Sequence, residues 1–264
     1  MNNKAGYLIP KLIIVALMAG LSLGCSLFSF LIPAKDTPEP VEPAGTSAPV
    51  NAPAITLEGL YAEYAGEPQA SGGIGAYLNA GGEVERLQAL LSGIETGAAE
   101  KIKAQVLSQD LTGDGCADVV VSVALPSVPG YGDAILAAYT CQGEQYARHN
   151  LFGRVGAGSR GEGLYDGGGA RIELVQDLNA DGLPEILFFV PSLRELYIAE
   201  WDGAGFSSLV DWVDELGSPQ KSIPAKEGTF EVKDLDQDGV LEVVVTDPPG
   251  LWRWDGAHYQ KSAE

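Results

Sequence analysis

The chain carries one short acidic pattern three times, each time directly before an apolar run. The clearest copy is Asp234-Leu235-Asp236-Gln237-Asp238-Gly239-Val240-Leu241-Glu242, followed by Val243, Val244 and Val245. Acidic side chains fall on loop positions 1, 3, 5 and 9, and glycine on position 6. Hard cations such as calcium take several oxygen ligands, and a tight loop with oxygens on alternate residues can supply them. The glycine permits the backbone angle that a sharp turn needs. Asp110-Leu111-Thr112-Gly113-Asp114-Gly115-Cys116-Ala117-Asp118 repeats the pattern ahead of Val119 to Val121, and Asp177-Leu178-Asn179-Ala180-Asp181-Gly182-Leu183-Pro184-Glu185 repeats it ahead of Ile186 to Phe189. One such turn arises by chance; three in matched context mark a repeat unit.

Composition narrows the classes. A chain of 264 residues suffices for one substantial domain plus accessory segments. Its formal net charge of −20 argues against a nucleic-acid partner, because phosphate binding needs clustered Lys and Arg. Hydrophobic residues make up 45%, which excludes broad disorder. With 34 Gly, the chain suits a mainly β protein rich in turns.

Residues 1–32 read as a signal peptide or membrane anchor. Lys4 and Lys11 precede an uncharged stretch over 12–32, close to the ~20 residues that span a bilayer. Two readings stand. Leu21-Ser22-Leu23-Gly24-Cys25 is similar to a bacterial lipoprotein processing site, which would lipidate Cys25, although Ser22 departs from the usual Leu. The alternative is an uncleaved transmembrane helix, with the two lysines holding the N-terminus in the cytoplasm. Both place the remainder in an extracytoplasmic location, anchored to the cell membrane. Residues 33–54, with Pro at 33, 38, 40, 43, 49 and 53, read as a disordered Pro-rich tether. Residues 55–100 read as a cap or degenerate repeat. Within them, Val84, Leu87, Leu90, Leu91 and Ile94 fall at helical spacing, so one amphipathic helix is expected over 83–94, and 65–82 reads as loop.

Residues 101–264 read as three repeats of four strands each. The expected strands are 101–108, 117–125, 134–140 and 144–151; then 170–176, 185–190, 195–201 and 206–213; then 229–233, 241–246, 250–254 and 257–261. The third piece ends in Cys141-Gln142-Gly143, Trp201-Asp202-Gly203 and Trp254-Asp255-Gly256. In this alignment Cys116 and Cys141 stand where the other repeats have Leu183 with Trp201 and Val240 with Trp254. A hairpin turning within 126–132 sets the two cysteines opposite each other. A disulfide and a pair of buried thiols both fit.

The loops and the strands that follow them resemble the FG-GAP or VCBS type of repeat, found in integrin-alpha-like β-propellers. The resemblance covers about 101–261 and implies a partial or small propeller whose loops bind calcium. Carried over by position, it implies side-chain ligands Asp110, Thr112, Asp114 and Asp118 with the Cys116 carbonyl; Asp177, Asn179, Asp181 and Glu185 with the Leu183 carbonyl; and Asp234, Asp236, Asp238 and Glu242 with the Val240 carbonyl. Thr112 departs from the Asp or Asn of that pattern. An EF-hand is excluded, since position 12 is Val121, Phe188 or Val245 rather than Glu. The bland alternative is metal-free Asx turns. Carboxylate counts order the expected affinities as loop three, then two, then one.

The resulting expectation is a membrane-tethered, non-catalytic calcium-binding module that engages a protein or polysaccharide at the cell surface. Two alternatives are a surface hydrolase acting on a polymer and a subunit of a larger surface complex. His149, His258 and Ser159 lack a nucleophile signature, and the Gly-rich 153–169 lacks the ending of a phosphate cradle. Tyr131, Tyr165 and Trp252 are candidates for an exposed aromatic contact surface.

Overall fold

The computed structural model describes residues 52–96, 101–125, 133–151 and 170–262. The expected anchor, most of the tether, the 126–132 turn, the Gly-rich 153–169, Ser159, Tyr131 and Tyr165 lie outside them. Among the described residues no helix is long and apolar enough to cross a membrane.

The chain begins with helices α1 (Leu57–Tyr64), α2 (Ile74–Asn79) and α3 (Val84–Ser92). It then forms β1 (Lys103–Gln109), β2 (Asp118–Leu125), β3 (Asp133–Gln142) and β4 (Gln145–Asn150), an antiparallel sheet in the order 1-2-3-4. A second sheet follows with β5 (Arg171–Gln176), β6 (Glu185–Val190), β7 (Glu195–Trp201) and β8 (Phe206–Ser208). Next come β9 (Trp212–Val213) paired with β10 (Pro219–Gln220), and β11 (Ile223–Pro224). A third four-stranded sheet holds β12 (Phe230–Lys233), β13 (Glu242–Thr246), β14 (Pro249–Trp254) and β15 (Tyr259–Lys261). The protein is therefore mainly β, and among the described residues no sheet closes on itself.

The middle strands explain how the sheets pack. Side chains alternate across a strand, and these strands are apolar on both faces. Val119, Val121 and Val123 join Leu60, Ile74, Leu87 and Leu91 of the helices in one core. Val120 faces the other way, into a core with Ile186, Phe188 and Val190 of β6. Leu187 and Phe189 of β6 join Val243, Val245 and Trp252 of the third sheet. Fully burying one such side chain contributes about 1.5–3 kcal/mol. Side-chain amides supplement this packing at the edges. Gln105 donates to the Ile172 carbonyl at 3.2 Å and accepts from the Ile172 N–H at 2.9 Å. Asn79 treats Tyr146 of β4 in the same way, at 3.1 and 2.5 Å.

Three departures from the sequence reading have local causes. The N-terminal segment holds three helices rather than one. Its glycines mark close approach rather than loop: a Cβ on Gly59 would lie 2.2 Å from the Gly72 carbonyl carbon, and one on Gly75 equally close to the Pro68 oxygen. The strand expected over 206–213 ends at Ser208, whose hydroxyl accepts the Val210 N–H at 3.1 Å and donates to the Lys221 carbonyl at 2.8 Å. The chain then forms the β9–β10 hairpin, and β11 returns to pair with β7. Trp252 is buried against Trp212 instead of forming a contact surface. Of the two readings left open for the cysteines, the bridge is the one found: Cys116 and Cys141 are joined, with Cα atoms 5.8 Å apart.

Glu63 fastens the helices to the first sheet. Fully buried on α1, it accepts the N–H groups of Ile74 and Gly75 at 2.6 and 3.1 Å and the Tyr139 hydroxyl at 2.7 Å. Burial raises its pKa, and the donors only partly offset this. The folded state therefore holds this proton more tightly than the unfolded chain. Its stabilisation is complete below the ordinary carboxylate value and is lost as pH rises through the raised value. Glu63→Gln is expected to flatten this part of the pH dependence of the thermal midpoint while lowering the midpoint at acidic pH. An unchanged slope as pH rises above the ordinary carboxylate value would remove Glu63 as the cause.

Candidate metal centre

The three acidic loops join the first and second strands of the three sheets, and they share one hydrogen-bond scheme. The position 1 aspartate accepts the N–H of the position 6 glycine: Asp110 from Gly115 at 2.8 Å, Asp177 from Gly182 at 3.0 Å and Asp234 from Gly239 at 3.1 Å. The position 5 aspartate accepts from position 7, at 2.8 Å in Asp114–Cys116, 2.8 Å in Asp181–Leu183 and 2.9 Å in Asp238–Val240. The position 9 carboxylate, buried at the start of the second strand, reaches back to the leucine at position 2. Asp118 accepts from Leu111 at 2.7 Å, Glu185 from Leu178 at 2.6 Å and Glu242 from Leu235 at 2.8 Å. Position 6 is left-handed throughout, with φ of 83°, 95° and 94°. Position 4 is left-handed too, in Gly113, Ala180 and Gln237, although only the first is glycine. Such angles are costly for a residue with a Cβ and persist where the surrounding bonds hold them.

The loops also touch one another. A Cβ on Gly113 of loop one would lie 2.8 Å from Leu183 of loop two. The Leu241 N–H of loop three donates to the Leu178 carbonyl of loop two at 2.8 Å. Tyr259, fully buried on β15, sets its hydroxyl 2.9 Å from that carbonyl and 3.0 Å from the Leu241 carbonyl. Burial, then the charges of Glu185, Glu242 and Asp177, hold this phenol well above its ordinary pKa.

The carboxylates differ in what they leave unpaired. In loop two, single oxygens of Asp177, Asp181 and Glu185 lie within 4.8 Å of one another. Asn179, nearly buried beside them, accepts the Asp181 N–H at 2.9 Å. Asp177 Oδ1 and Glu185 Oε1 are buried without a hydrogen-bond partner. Burial first, and then Asp181, Asp177 and Glu200, push the Glu185 pKa up to about 7. An orphaned buried acceptor costs about 1–3 kcal/mol, more when charged. Two in one cluster of like charge are oxygens that could hold a hard cation. The residues of loop two therefore fit such an ion.

In loop three, oxygens of Asp234, Asp236 and Asp238 likewise lie within 4.8 Å of one another. Glu242 is not in that group, and its Oε1 stands 3.9 Å from Arg253 Nε. Loop one forms no such cluster among the described residues. Both Asp118 oxygens are taken by backbone N–H groups, Leu111 at 2.7 Å and Cys141 at 2.6 Å. Thr112 Oγ1 is buried there without a partner. Cys116, next to the loop glycine, is held by the disulfide instead.

Two residues that the sequence reading passed over face these loops. The Glu200 carboxylate of β7 feels the charge of Asp181, and its pKa is raised by burial and then by Asp181. Arg253 of β14 sets Nη1 3.8 Å from Asp236 Oδ2. Each stands one residue before the tryptophan of a Trp-Asp-Gly turn, and Thr140 occupies the same place before Cys141. That shared offset was the available signal. The histidines take structural places: His149 Nε2 lies 2.9 Å from Thr140 Oγ1 and its ring packs edge-on to Trp201, while the His258 N–H donates to Asp255.

Comparison with protein-family models, with curated proteins and with solved structures finds no significant match. The functional argument therefore rests on the loops themselves.

Tyr259→Phe removes a buried donor shared by loops two and three. It is expected to lower stability by about 1–3 kcal/mol. It should also weaken cation binding at both loops together, measured by calorimetric titration. A loss confined to one loop would show that the hydroxyl does not couple them.

Proposed function

We propose that this chain is an extracytoplasmic calcium-binding module, tethered to the membrane by its N-terminal segment and built from FG-GAP or VCBS-type blades. It binds a protein or polysaccharide at the cell surface and catalyses no reaction. The observation that carries the reading is Glu185 Oε1, a buried, unpartnered carboxylate oxygen in a cluster with Asp177 and Asp181. Calcium is favoured because every donor in the loops is oxygen, which selects hard cations over zinc or copper. Calcium-loaded loops also suit a location outside the cytoplasm, where such modules bind at ~10⁻⁴ to 10⁻³ M.

The surface-ligand half of the reading draws on a cleft of about 890 Å³ beside the β9–β10 hairpin, lined in part by Trp212, Asp214, Leu216, Pro248 and Lys261. Leu216 is 91% exposed and Val213 63%. Exposed apolar side chains next to an aromatic ring and charged groups suit an extended ligand that presents both apolar and polar faces.

Thermal unfolding of the detergent-solubilised full-length chain, with calcium and then with chelator, tests the metal half. Free calcium at tenfold the dissociation constant stabilises by about 1.4 kcal/mol per site. The midpoint is expected to fall on chelation and to recover on adding calcium back. Glu185→Gln should remove most of that response. A midpoint indifferent to calcium would leave the loops as metal-free turns.

A further inference from the structure

We propose that the surface ligand is a protein rather than a polysaccharide, and that a basic and apolar segment of it docks on the β9–β10 hairpin with Leu216 as its anchor. This rests on the surface-ligand half of the reading above and narrows it to one class of partner.

The hairpin holds an apolar side chain outward on a fixed turn. Asp214 organises the tip. Its Oδ1 accepts the N–H groups of Leu216 and Ser218 at 2.9 and 2.8 Å, and its Oδ2 accepts the Gln220 side-chain amide at 2.9 Å. Its own N–H donates to the Ser218 carbonyl at 3.0 Å, and its carbonyl accepts the Gly217 N–H at 2.9 Å. Gly217 takes the left-handed angle that closes the turn, with φ of 81°. At the base, Trp212 Nε1 donates to the Ser222 carbonyl at 2.8 Å. Leu216 is left 91% exposed near the apex. A partner that covers a residue already held in place loses little conformational freedom in ordering it.

Leu216 is not an isolated surface leucine. Val213 is exposed on the same hairpin, and both line one cleft with Pro224 and Pro248. Such a surface is freed of water by the apolar side chains of a partner. A saccharide is better held on the flat face of an exposed ring, and the ring at this cleft is committed elsewhere. Trp212 is half-buried and packs edge-on to Trp252, with centroids 5.1 Å apart. Charge then selects the partner's sign. The charged side chains lining the cleft are Asp214, Glu215 and Lys261, and the whole chain carries −20. Complementary potential favours a segment bearing lysine or arginine and rejects an acidic one. Glu215, exposed beside Leu216, is placed to meet a basic residue next to the apolar one.

The test pans a phage library of random dodecapeptides against the full-length chain in detergent and measures the enriched peptides by calorimetric titration, with cellohexaose titrated in parallel. The enriched peptides are expected to interleave lysine or arginine with apolar residues. Leu216→Asp should weaken their binding about tenfold or more, because it removes the leucine that they bury. The direction is telling, since this variant adds negative charge and would tighten an attraction due to net charge alone. Leu216 is too exposed for its replacement to open a core, and an unchanged thermal midpoint checks this. Glu215→Gln should weaken binding less, by an amount that shrinks at high salt. Acidic enriched peptides, or peptides that bind the Leu216→Asp variant as tightly as the parent, would overturn the proposal. Binding of cellohexaose with no peptide enriched would overturn it and leave a surface ligand standing. If neither peptide nor sugar binds, the surface-ligand reading falls with it.

Discussion

The loops depend on one buried contact, the carboxylate at the head of each second strand accepting the N–H of the leucine at loop position 2. It closes the loop on itself and fixes where the strand begins. One methylene then separates loop one from the other two. Asp118 is short enough to be satisfied twice by backbone, from Leu111 and Cys141. Glu185 spends one oxygen on Leu178 and leaves the other buried and unpaired. Glu242 spends one on Leu235 and turns the other toward Arg253. The same fold element thus ends in a doubly satisfied carboxylate, an unfilled acceptor or an internal ion pair.

Around these loops the sheets adhere through faces rather than through a continuous ladder. β2 and β6 are apolar on both sides, so each joins two cores at once. The amides of Gln105 and Asn79 supply, from side chains, the paired donor and acceptor that a neighbouring strand would otherwise present. The helical segment covers the outer face of the first sheet, with Glu63 joining α1, the start of α2 and Tyr139.

Much of this was legible in the sequence because the signals are local. The acidic loops, the β-branched runs after them and the Trp-Asp-Gly turns all lie within a few residues of what they specify, and most of the expected strands fall within a residue or two of those found. What was missed depends on distant partners. Gly59 and Gly75 look like loop residues until the chain they pack against is in place. The break after Ser208 depends on the Lys221 carbonyl, well downstream. Glu200 and Arg253 reach their loops only because the sheet register brings the third strand alongside the second. Their spacing from the loops carries no hydrogen-bond logic of its own. The Glu63 carboxylate was silent for the same reason, since its partner Tyr139 lies two strands into the first sheet.

Tyr259 adds an order of events in time. Its hydroxyl stands between the carbonyls of loops two and three, and its N–H donates to Leu209 at 2.7 Å, so both loops are braced by a strand that follows them in the chain. A polypeptide leaving the ribosome releases both acidic loops before this tyrosine arrives. Until it does, their clustered carboxylates remain hydrated and mutually repelling. The bracing of both loops is thereby deferred until the last strand is in place.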